Sequence, residues 1–313
     1  MIPIENAHLR VIAATDPGMK GKNNEDQFAV TAYQLSNTDP KPVVFAIVAD
    51  GIGGHRAGEI ASDIAVEMIC DAVASSDGSQ PVEIMQAAII QASQAIFSQG
   101  SQNTDQIGMG TTCVCTWIID DRLYVTHVGN SRLYLLRSGK LYQLNIDHTW
   151  VKEAVDAGAL SAEQARGHPN ANIIRRYLGA SAIPDVDKRL RTDRSSHHSE
   201  ENQGFRLRSG DRLLLCSDGL NDMVVDQRIA EELQREDLDK AASGLIAAAN
   251  KNGGKDNITV VILEVPDNAG FKGFWDRLAK IPPPLAFAYA GLGMMGLAIL
   301  YALIMFIYQL INR

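Results

Sequence analysis

The 313 residues carry 37 acidic against 29 basic side chains, a formal net charge of −8. A nucleic-acid backbone demands basic stripes, and no Lys/Arg-dense segment is present, so a general nucleic-acid binder is excluded. With 46% hydrophobic residues, no composition break across residues 8–265 and no repeat of fixed period, the chain is expected to form one large domain with an appendage.

In chain order, MIPIENAHLR lacks the basic and apolar runs of a signal peptide, so the N-terminus is expected to stay in the cytosol. Residues 8–16 and 27–34 read as strands flanking a Lys/Asn turn. VVFAIVADG is a near-continuous apolar run, the pattern of a strand buried on both faces. Residues 57–74 and 82–99 have alanine-rich helical spacing, with Pro81 suited to a first turn. TTCVCTWIID, RLYVTHVG and SRLYLLRSG, separated at Asp120-Asp121 and Gly129-Asn130, predict antiparallel hairpins.

Residues 149–166 predict a small helical pair broken at Ala157-Gly158, with Ser161 and Glu163-Gln164 close to a capping box. The aperiodic stretch RTDRSSHHSEENQG at 191–204 predicts a solvated excursion, its adjacent His197 and His198 having no neighbouring ligand pattern. Residues 239–252 predict a helix ended at Gly253-Gly254, and NITVVILEV a closing strand. Strands and helices mix without regular βαβ alternation, which predicts an α+β fold.

The C-terminal part has a different character. No charged residue occurs from Leu285 to Ile311, well above the roughly 20 positions a helix needs to cross a bilayer core, so 285–311 predicts a transmembrane helix. Lys272, Arg277 and Lys280 precede it and only Arg313 follows. The positive-inside rule then keeps the preceding chain cytoplasmic, as a single-pass anchor in the inner membrane. Residues 266–284 form a linker in which Phe271, Phe274, Trp275 and Leu278 have helical spacing. A short amphipathic turn on the inner leaflet and a plain linker both fit.

Asp26, Asp50, Asp218 and Asp256 stand in NNEDQF, VADGIGGH, CSDGL and KDNITVV, Asp50 and Asp218 before glycine and Asp256 before asparagine. One Asp-Gly pair usually marks a turn. Four at the ends of apolar runs predict a cavity where carboxylates converge, and such a cavity calls for hard divalent cations, Mg²⁺ or Mn²⁺. Two such ions sharing a carboxylate ionise water for in-line attack on phosphorus.

With these motifs, MGTT at 109–112, LYVTHVGNSRLYLL at 123–136, DHTWVKEAVDAGAL at 147–160 and NANIIRRYLG at 170–179 stand in order. The chain resembles the metal-dependent protein phosphatase family of type 2C (PPM), in its bacterial serine/threonine form, from about Ile12 to Val265. The resemblance implies a central antiparallel β-sandwich flanked by helices on both faces, occupying residues 1–265. It implies hydrolysis of phosphoserine and phosphothreonine on proteins by a metal-bridging hydroxide, with two Mn²⁺ or Mg²⁺ ions. Asp50 would bridge them, the Gly51 carbonyl, Asp218 and Asp256 would complete the ligand set, and Glu25 and Asp26 would act through water. His55 would be the general acid. A cognate serine/threonine kinase is the partner a family member would accompany.

Two positions depart from the family pattern. Gly21 stands where many relatives carry a phosphate-clamping arginine, leaving Lys20 and Lys22 as substitutes that lack the bidentate fork. Asn130 replaces the aspartate of GDSR, so a third metal loses a charged ligand while the two-metal core is expected to survive. Cys70, Cys113, Cys115 and Cys216 read as reduced structural thiols, none followed by arginine at the spacing of a cysteine-phosphatase loop. A regulatory binding module and a nucleotide cradle are the competing readings. Retention of the aspartates opposes the first, and the absence of Lys-Ser/Thr after the DGIGG glycines opposes the second.

Overall fold

Strict alternation along the central strands divides the apolar residues among three packed layers. The computed structural model describes residues 1–266 except Lys22, Gly54, His55 and Arg166, and these form one unit, Met1–Pro266. The predicted membrane span and all but the first residue of the linker lie outside the described residues. Among the described residues, no helix is long and apolar enough to cross a membrane.

The elements in order are β1 (Ile2–Pro3), β2 (Arg10–Asp16), β3 (Asp26–Gln34), β4 (Pro42–Ile52), α1 (Arg56–Ser75) and α2 (Pro81–Gln102). Then follow β5 (Gly110–Thr111), β6 (Cys113–Ile119), β7 (Arg122–Val128), β8 (Arg132–Arg137), β9 (Lys140–Gln143), α3 (Trp150–Asp156) and α4 (Ala162–Ala165). The remainder are β10 (Leu190–Thr192), β11 (Ser195–Ser199), β12 (Phe205–Arg206), β13 (Arg212–Cys216), α5 (Asp218–Asn221), α6 (Asp226–Leu233), α7 (Leu238–Lys251) and β14 (Ile258–Glu264). One sheet runs β1-β3-β4-β6-β7-β12, with β5 paired to the end of β4, and the other runs β2-β14-β13-β8-β9. Every pairing is antiparallel.

The period of two explains the apolar runs. On β4, Val43, Phe45 and Ile47 pack with Ile69, Met85, Ile89 and Trp117 beneath α1 and α2. Val44, Ala46 and Val48 instead meet Leu213, Leu215, Val261 and Leu263 of the second sheet. That sheet's outer face, with Leu214, Val260 and Ile262, is covered by Ile229, Leu233, Leu245 and Ala249 of α6 and α7. Helix–sheet–sheet–helix layering thus buries both faces of both sheets. Cys113 and Cys115 fill the first layer as small apolar groups.

The helix ends follow local rules. Pro81 opens α2, where its missing N–H costs nothing. The Asp237 carboxylate accepts from the Asp239 N–H at 3.0 Å to start α7. Ser161 and Gln164 satisfy each other's backbone N–H groups at 2.8 and 3.2 Å before the short α4.

Two expectations are corrected. Gly129-Asn130 does not turn a hairpin: β7 belongs to the first sheet and β8 to the second, so the chain crosses between layers there. The backbone partner of His127 is Asp187, with N–H···O distances of 3.0 Å in both directions, which leaves β8 free to pair with β13. The stretch 191–204 is not an unstructured excursion, since β10 and β11 form a two-stranded hairpin within it. Its backbone pairing and the anchoring of Gln203, whose side-chain amide donates to the Val125 and Lys188 carbonyls at 2.7 Å, carry no apolar periodicity.

At the pole reached by the end of β8, the buried Arg137 guanidinium donates to Asp211 at 2.9 Å, to the Arg206 carbonyl at 3.0 Å, and pairs with Asp193 at 3.0 Å. Asp211→Ala strands part of this buried charge and should lower stability by about 3 kcal/mol, the lower end for a broken buried pair because Asp193 remains. The urea-unfolding midpoint of the full chain measures it, and an unchanged midpoint would show that the pair adds nothing.

Candidate metal centre

Strand polarity brings the four aspartates to one end of the sandwich. Asp26 opens β3 and lies directly opposite Asp50 near the end of antiparallel β4. Cys216, the last residue of β13, faces Val260 of β14, so Asp218 just beyond β13 and Asp256 just before β14 emerge at that same end. The Gly129–Ser131 crossover from β7 to β8 passes there too. A cavity of about 620 Å³ opens between them, lined by Gly21, Glu25, Asp50, Gly51, Asp218 and Asp256 with Asn172 and Ile174 on its wall.

The backbone around each carboxylate is clamped. Asp50 donates its N–H to Thr112 Oγ1 at 3.1 Å, and its carbonyl accepts from Thr111 Oγ1 and the Thr112 N–H, both at 2.9 Å. The Glu25 carbonyl accepts from Ser62 Oγ at 2.6 Å and from the Gly51 N–H at 3.2 Å. Asn257 accepts the Glu25 N–H at 2.8 Å and donates to the Pro17 and Asn23 carbonyls at 3.1 and 3.0 Å, sewing the NNED loop to β14. The glycines of the Asp-Gly pairs are close-approach residues. A Cβ on Gly51 would lie 2.3 Å from the Gly58 carbonyl oxygen, and one on Gly219 would lie 2.0 Å from that of Asn257.

The electrostatics are unfavourable without cations. Burial first, then the charges of Asp218, Asp26 and Asp256, push the Asp50 carboxyl well up. Asp26 rises to about 7, chiefly by burial, although Ser217 Oγ donates to its Oδ2 at 2.6 Å. Asp218 is raised by burial and by Asp256, partly offset by the Asn130 amide, which donates to its Oδ2 at 2.8 Å. Asp26 Oδ1 and Asn130 Oδ1 are buried oxygens without a hydrogen-bond partner. Hard oxygen donors, crowded negative charge and uncommitted acceptors fit divalent cations of the Mn²⁺ or Mg²⁺ class.

The structure therefore gathers Glu25, Asp50, Gly51, Asp218 and Asp256 on one cavity and sets Asp26 behind Asp50. Asn130 bonds Asp218, placed there by the crossover that hairpin reasoning missed. Gly21 lines the cavity with φ +68 and nothing near its absent Cβ. Lys20 is exposed, while His55 and Lys22 lie outside the described residues. Sequence reasoning also passed over Asp222, one helical turn after Asp218. Burial first, then Asp218, raises its carboxyl to about 7. The i,i+4 spacing in SDGLND is the signal that could have found it.

Among the described residues, a second group has metal-ligand proximity: His127, His148 and Asp187. Most of its ligand atoms are already committed, His127 Nδ1 being the buried exception. His148 Nδ1 accepts the Gly129 N–H at 3.0 Å, so its proton sits on Nε2, facing Asp187 Oδ2 at 3.4 Å. Arg189 Nε bonds both oxygens of Asp187 at 3.0 and 3.1 Å. Burial opposes ionisation of Asp187, but the His148 and Arg189 hydrogen bonds outweigh it and hold the carboxyl well below its usual range. Burial, then the stacked His148 ring, pushes His127 down to about 4. This is a structural network that fixes the Gly129 crossover.

The sequence profile described as "Protein phosphatase 2C" matches residues 19–258. Serine/threonine protein phosphatase PstP of Mycobacterium tuberculosis is 36% identical over 260 residues, 83% of this chain and 45% of that protein. The chain thus spans a little under half the length of that mycobacterial relative. Serine/threonine phosphatase stp of Listeria monocytogenes is 36% identical over 255 residues, 80% of this chain and 93% of its own. The crystal structure of the catalytic domain of PstP in complex with two manganese ions superposes with a TM-score of 0.67 at 35% identity, covering 83% of this chain and 99% of that one.

Raised carboxyls make the cation-free native state hold protons that the unfolded chain has already released. Stability in EDTA should therefore fall as pH rises from the ordinary carboxylate value near 4 through about 7. Asp187 acts in the opposite sense below that window, and His127, depressed to about 4, opposes the trend within it but is outnumbered by the raised carboxyls. Thermal melting of the full chain at pH 5 and pH 7.5, with and without Mn²⁺, reads this. A melting temperature in EDTA that rises with pH, or is indifferent to Mn²⁺ at pH 7.5, would contradict it.

Proposed function

The chain belongs to the protein phosphatase 2C family, and on that premise we propose that it is a metal-dependent protein serine/threonine phosphatase centred on the carboxylate cavity. The observation that carries the proposal is the set of converging, mutually repelling aspartates opening onto a cavity with room for a phosphorylated side chain. Two ions of the Mn²⁺ or Mg²⁺ class would be held by Asp50, the Gly51 carbonyl, Asp218 and Asp256, with Glu25 and Asp26 at one remove through water. When bound, such ions neutralise the cluster and bring the ionisation of water to near neutral pH.

The chain's own residues hold this geometry. Thr111 and Thr112 fix Asp50, and Ser217 takes one oxygen of Asp26 and leaves the other free. Asn130 offers Asp218 an amide donor in place of a charge, which supports a two-ion centre. His55 is assigned the proton donated to the departing serine or threonine oxygen, and Lys20 and Lys22 the attraction of the phosphate as point charges. Phosphoproteins are the substrates, and a cognate kinase is the natural partner of such an activity. Residues 1–265 form the catalytic domain, 266–284 a linker and 285–311 a helix that anchors it to the cytoplasmic face of the inner membrane.

Asp50→Asn should reduce Mn²⁺-dependent phosphate release from a phosphothreonine peptide at least 10³-fold, on the order of a lost preorganised charge, in a protein that still melts cooperatively. Near-normal turnover would sink the ligand assignment. In the same assay His55→Ala should harm the peptide more than p-nitrophenyl phosphate, whose leaving group needs little protonation, and equal losses would remove the general-acid role. For the anchor, the full chain should stay with membranes through alkaline extraction while a chain ending at Pro266 should not. Release of both would refute the span.

A further inference from the structure

The β10–β11 hairpin has no part in the proposed chemistry, yet it is built around two side chains with uncommitted hydrogen-bond donors, an arginine and a histidine. Arg191 Nε and His198 Nε2 are buried atoms with no hydrogen-bond partner. Among the arginines whose side chains are described, only Arg191 and Arg194 lack a carboxylate partner, and Arg194 is exposed. His198 is half-buried. Burial lowers its pKa, and Arg191, Lys152 of α3 and Arg189 lower it further, with Asp187 the one opposing charge. Lys152 is bonded to Asp156 and Arg189 to Asp187, so those cations supply field while Arg191 and His198 hold free donors.

The placement relates this cluster to the cavity. The Arg191 N–H donates to the Leu144 carbonyl at 2.8 Å, which sets β10 along the segment leading into α3. Thr149, the N-cap of α3, bridges Ile174, and Ile174 lines the cavity. One flank of this segment is cavity wall, and Lys152, one turn into α3, faces His198 from it. A peptide laid across that wall carries its flanking side chains toward the cluster.

We propose that Arg191 and His198, in the field of Lys152 and Arg189, form an oxyanion subsite that engages a carboxylate or a second phosphate on the protein substrate, away from the phosphate being hydrolysed. The proposal rests on the phosphatase reading. The Arg191 Nε–H and a His198 Nε2–H each donate to one oxygen, satisfying two buried nitrogens that are otherwise left without partners. Carboxylate and phosphate share the chemistry recognised, a multi-oxygen anion.

The test uses the full chain with Mn²⁺ and three phosphothreonine peptides that differ only in flanks: neutral, glutamate-bearing at successive distances, and bearing a second phosphoserine. The readout is the ratio of kcat/KM between acidic and neutral peptides, which cancels any difference in active fraction between preparations. The wild type should prefer at least one acidic peptide by about tenfold, the worth of a charge-assisted hydrogen bond, and the preference should weaken with salt. Arg191→Gln with His198→Gln should bring the ratio to near one. A glutamate arm that responds alone, or a phosphoserine arm alone, identifies the oxyanion. No preference in the wild type, or a preference that survives both substitutions, overturns the subsite.

Binding of the labelled glutamate peptide without phosphothreonine, followed by fluorescence anisotropy in EDTA, separates this idea from the catalytic one. Binding several-fold weaker in the double variant supports the subsite even if no peptide is hydrolysed, and equal binding refutes it. Competition by millimolar sulfate as strong as by the peptide itself would show that a free anion, and not a substrate side chain, is what the cluster holds, and would also overturn the proposal.

Discussion

Mutual repulsion among Asp26, Asp50, Asp218 and Asp256 is the constraint around which this fold is organised. Carboxylates converging on one cavity are held together by covalent connection to rigid strands, by hydrogen bonds to their surroundings, or by cations. The protein uses the first two directly. Asp26 and Asp50 are locked opposite each other by the β3–β4 ladder. Asp218 follows the end of β13, and Asp256 precedes the start of β14, which pairs with it. Without three apolar layers holding the sheets in register, the cluster would relieve its repulsion by spreading. The core and the centre are therefore one design: both sheets are buried on both faces, so their ends cannot drift.

The crossover at Gly129 extends that logic. A hairpin there would have kept β7 and β8 in one sheet and left the second sheet without its β13 partner. By crossing, the chain sets Asn130 on Asp218 and Ser131 Oγ 2.7 Å from Thr112 Oγ1, itself the acceptor of the Asp50 N–H. A single turn thus contacts the supports of carboxylates from both sheets. The buried His148 holds that turn through the Gly129 N–H. A neutral imidazole suits this task because its two nitrogens do opposite jobs, one accepting from the turn and one donating to Asp187.

How much of this was legible in the sequence depended on whether the signal was local. The strands β2, β3 and β4, the helices α1, α2 and α7, and the Ser161/Gln164 capping box follow from periodicity and capping chemistry confined to a few residues. The gathering of Asp50, Asp218 and Asp256 followed from their place at the ends of apolar runs. Whether Gly129-Asn130 closes a hairpin or crosses between sheets was not legible, because the decision is made by Asp187, nearly sixty residues on, pairing with His127. The β10–β11 hairpin left no alternating pattern, since Leu190 is its one apolar side chain. That Gly51 and Gly219 of the Asp-Gly pairs serve close backbone approach was not legible either, because only the packed neighbours Gly58 and Asn257 reveal it.

Asp187, Arg189, Arg191 and His198 show how closely a satisfied and an unsatisfied network can adjoin. The buried Asp187 carboxylate is spent on the exposed Arg189 and on His148, and this geometry fixes the base of the hairpin. Two residues further along, in β10, Arg191 has backbone hydrogen bonding but no acid to meet its guanidinium. The difference cannot come from local propensity, since both are arginines in one short segment. It comes from what lies within reach: Asp187, two residues before it, for Arg189, and Lys152 of α3 with His198 for Arg191. A half-buried guanidinium facing other cations costs stability, and the hairpin is anchored firmly enough by Gln203 and Asn202 to bear that cost. A fold has no need to build such a place for its own packing. An anion arriving from outside is the one species that relieves it.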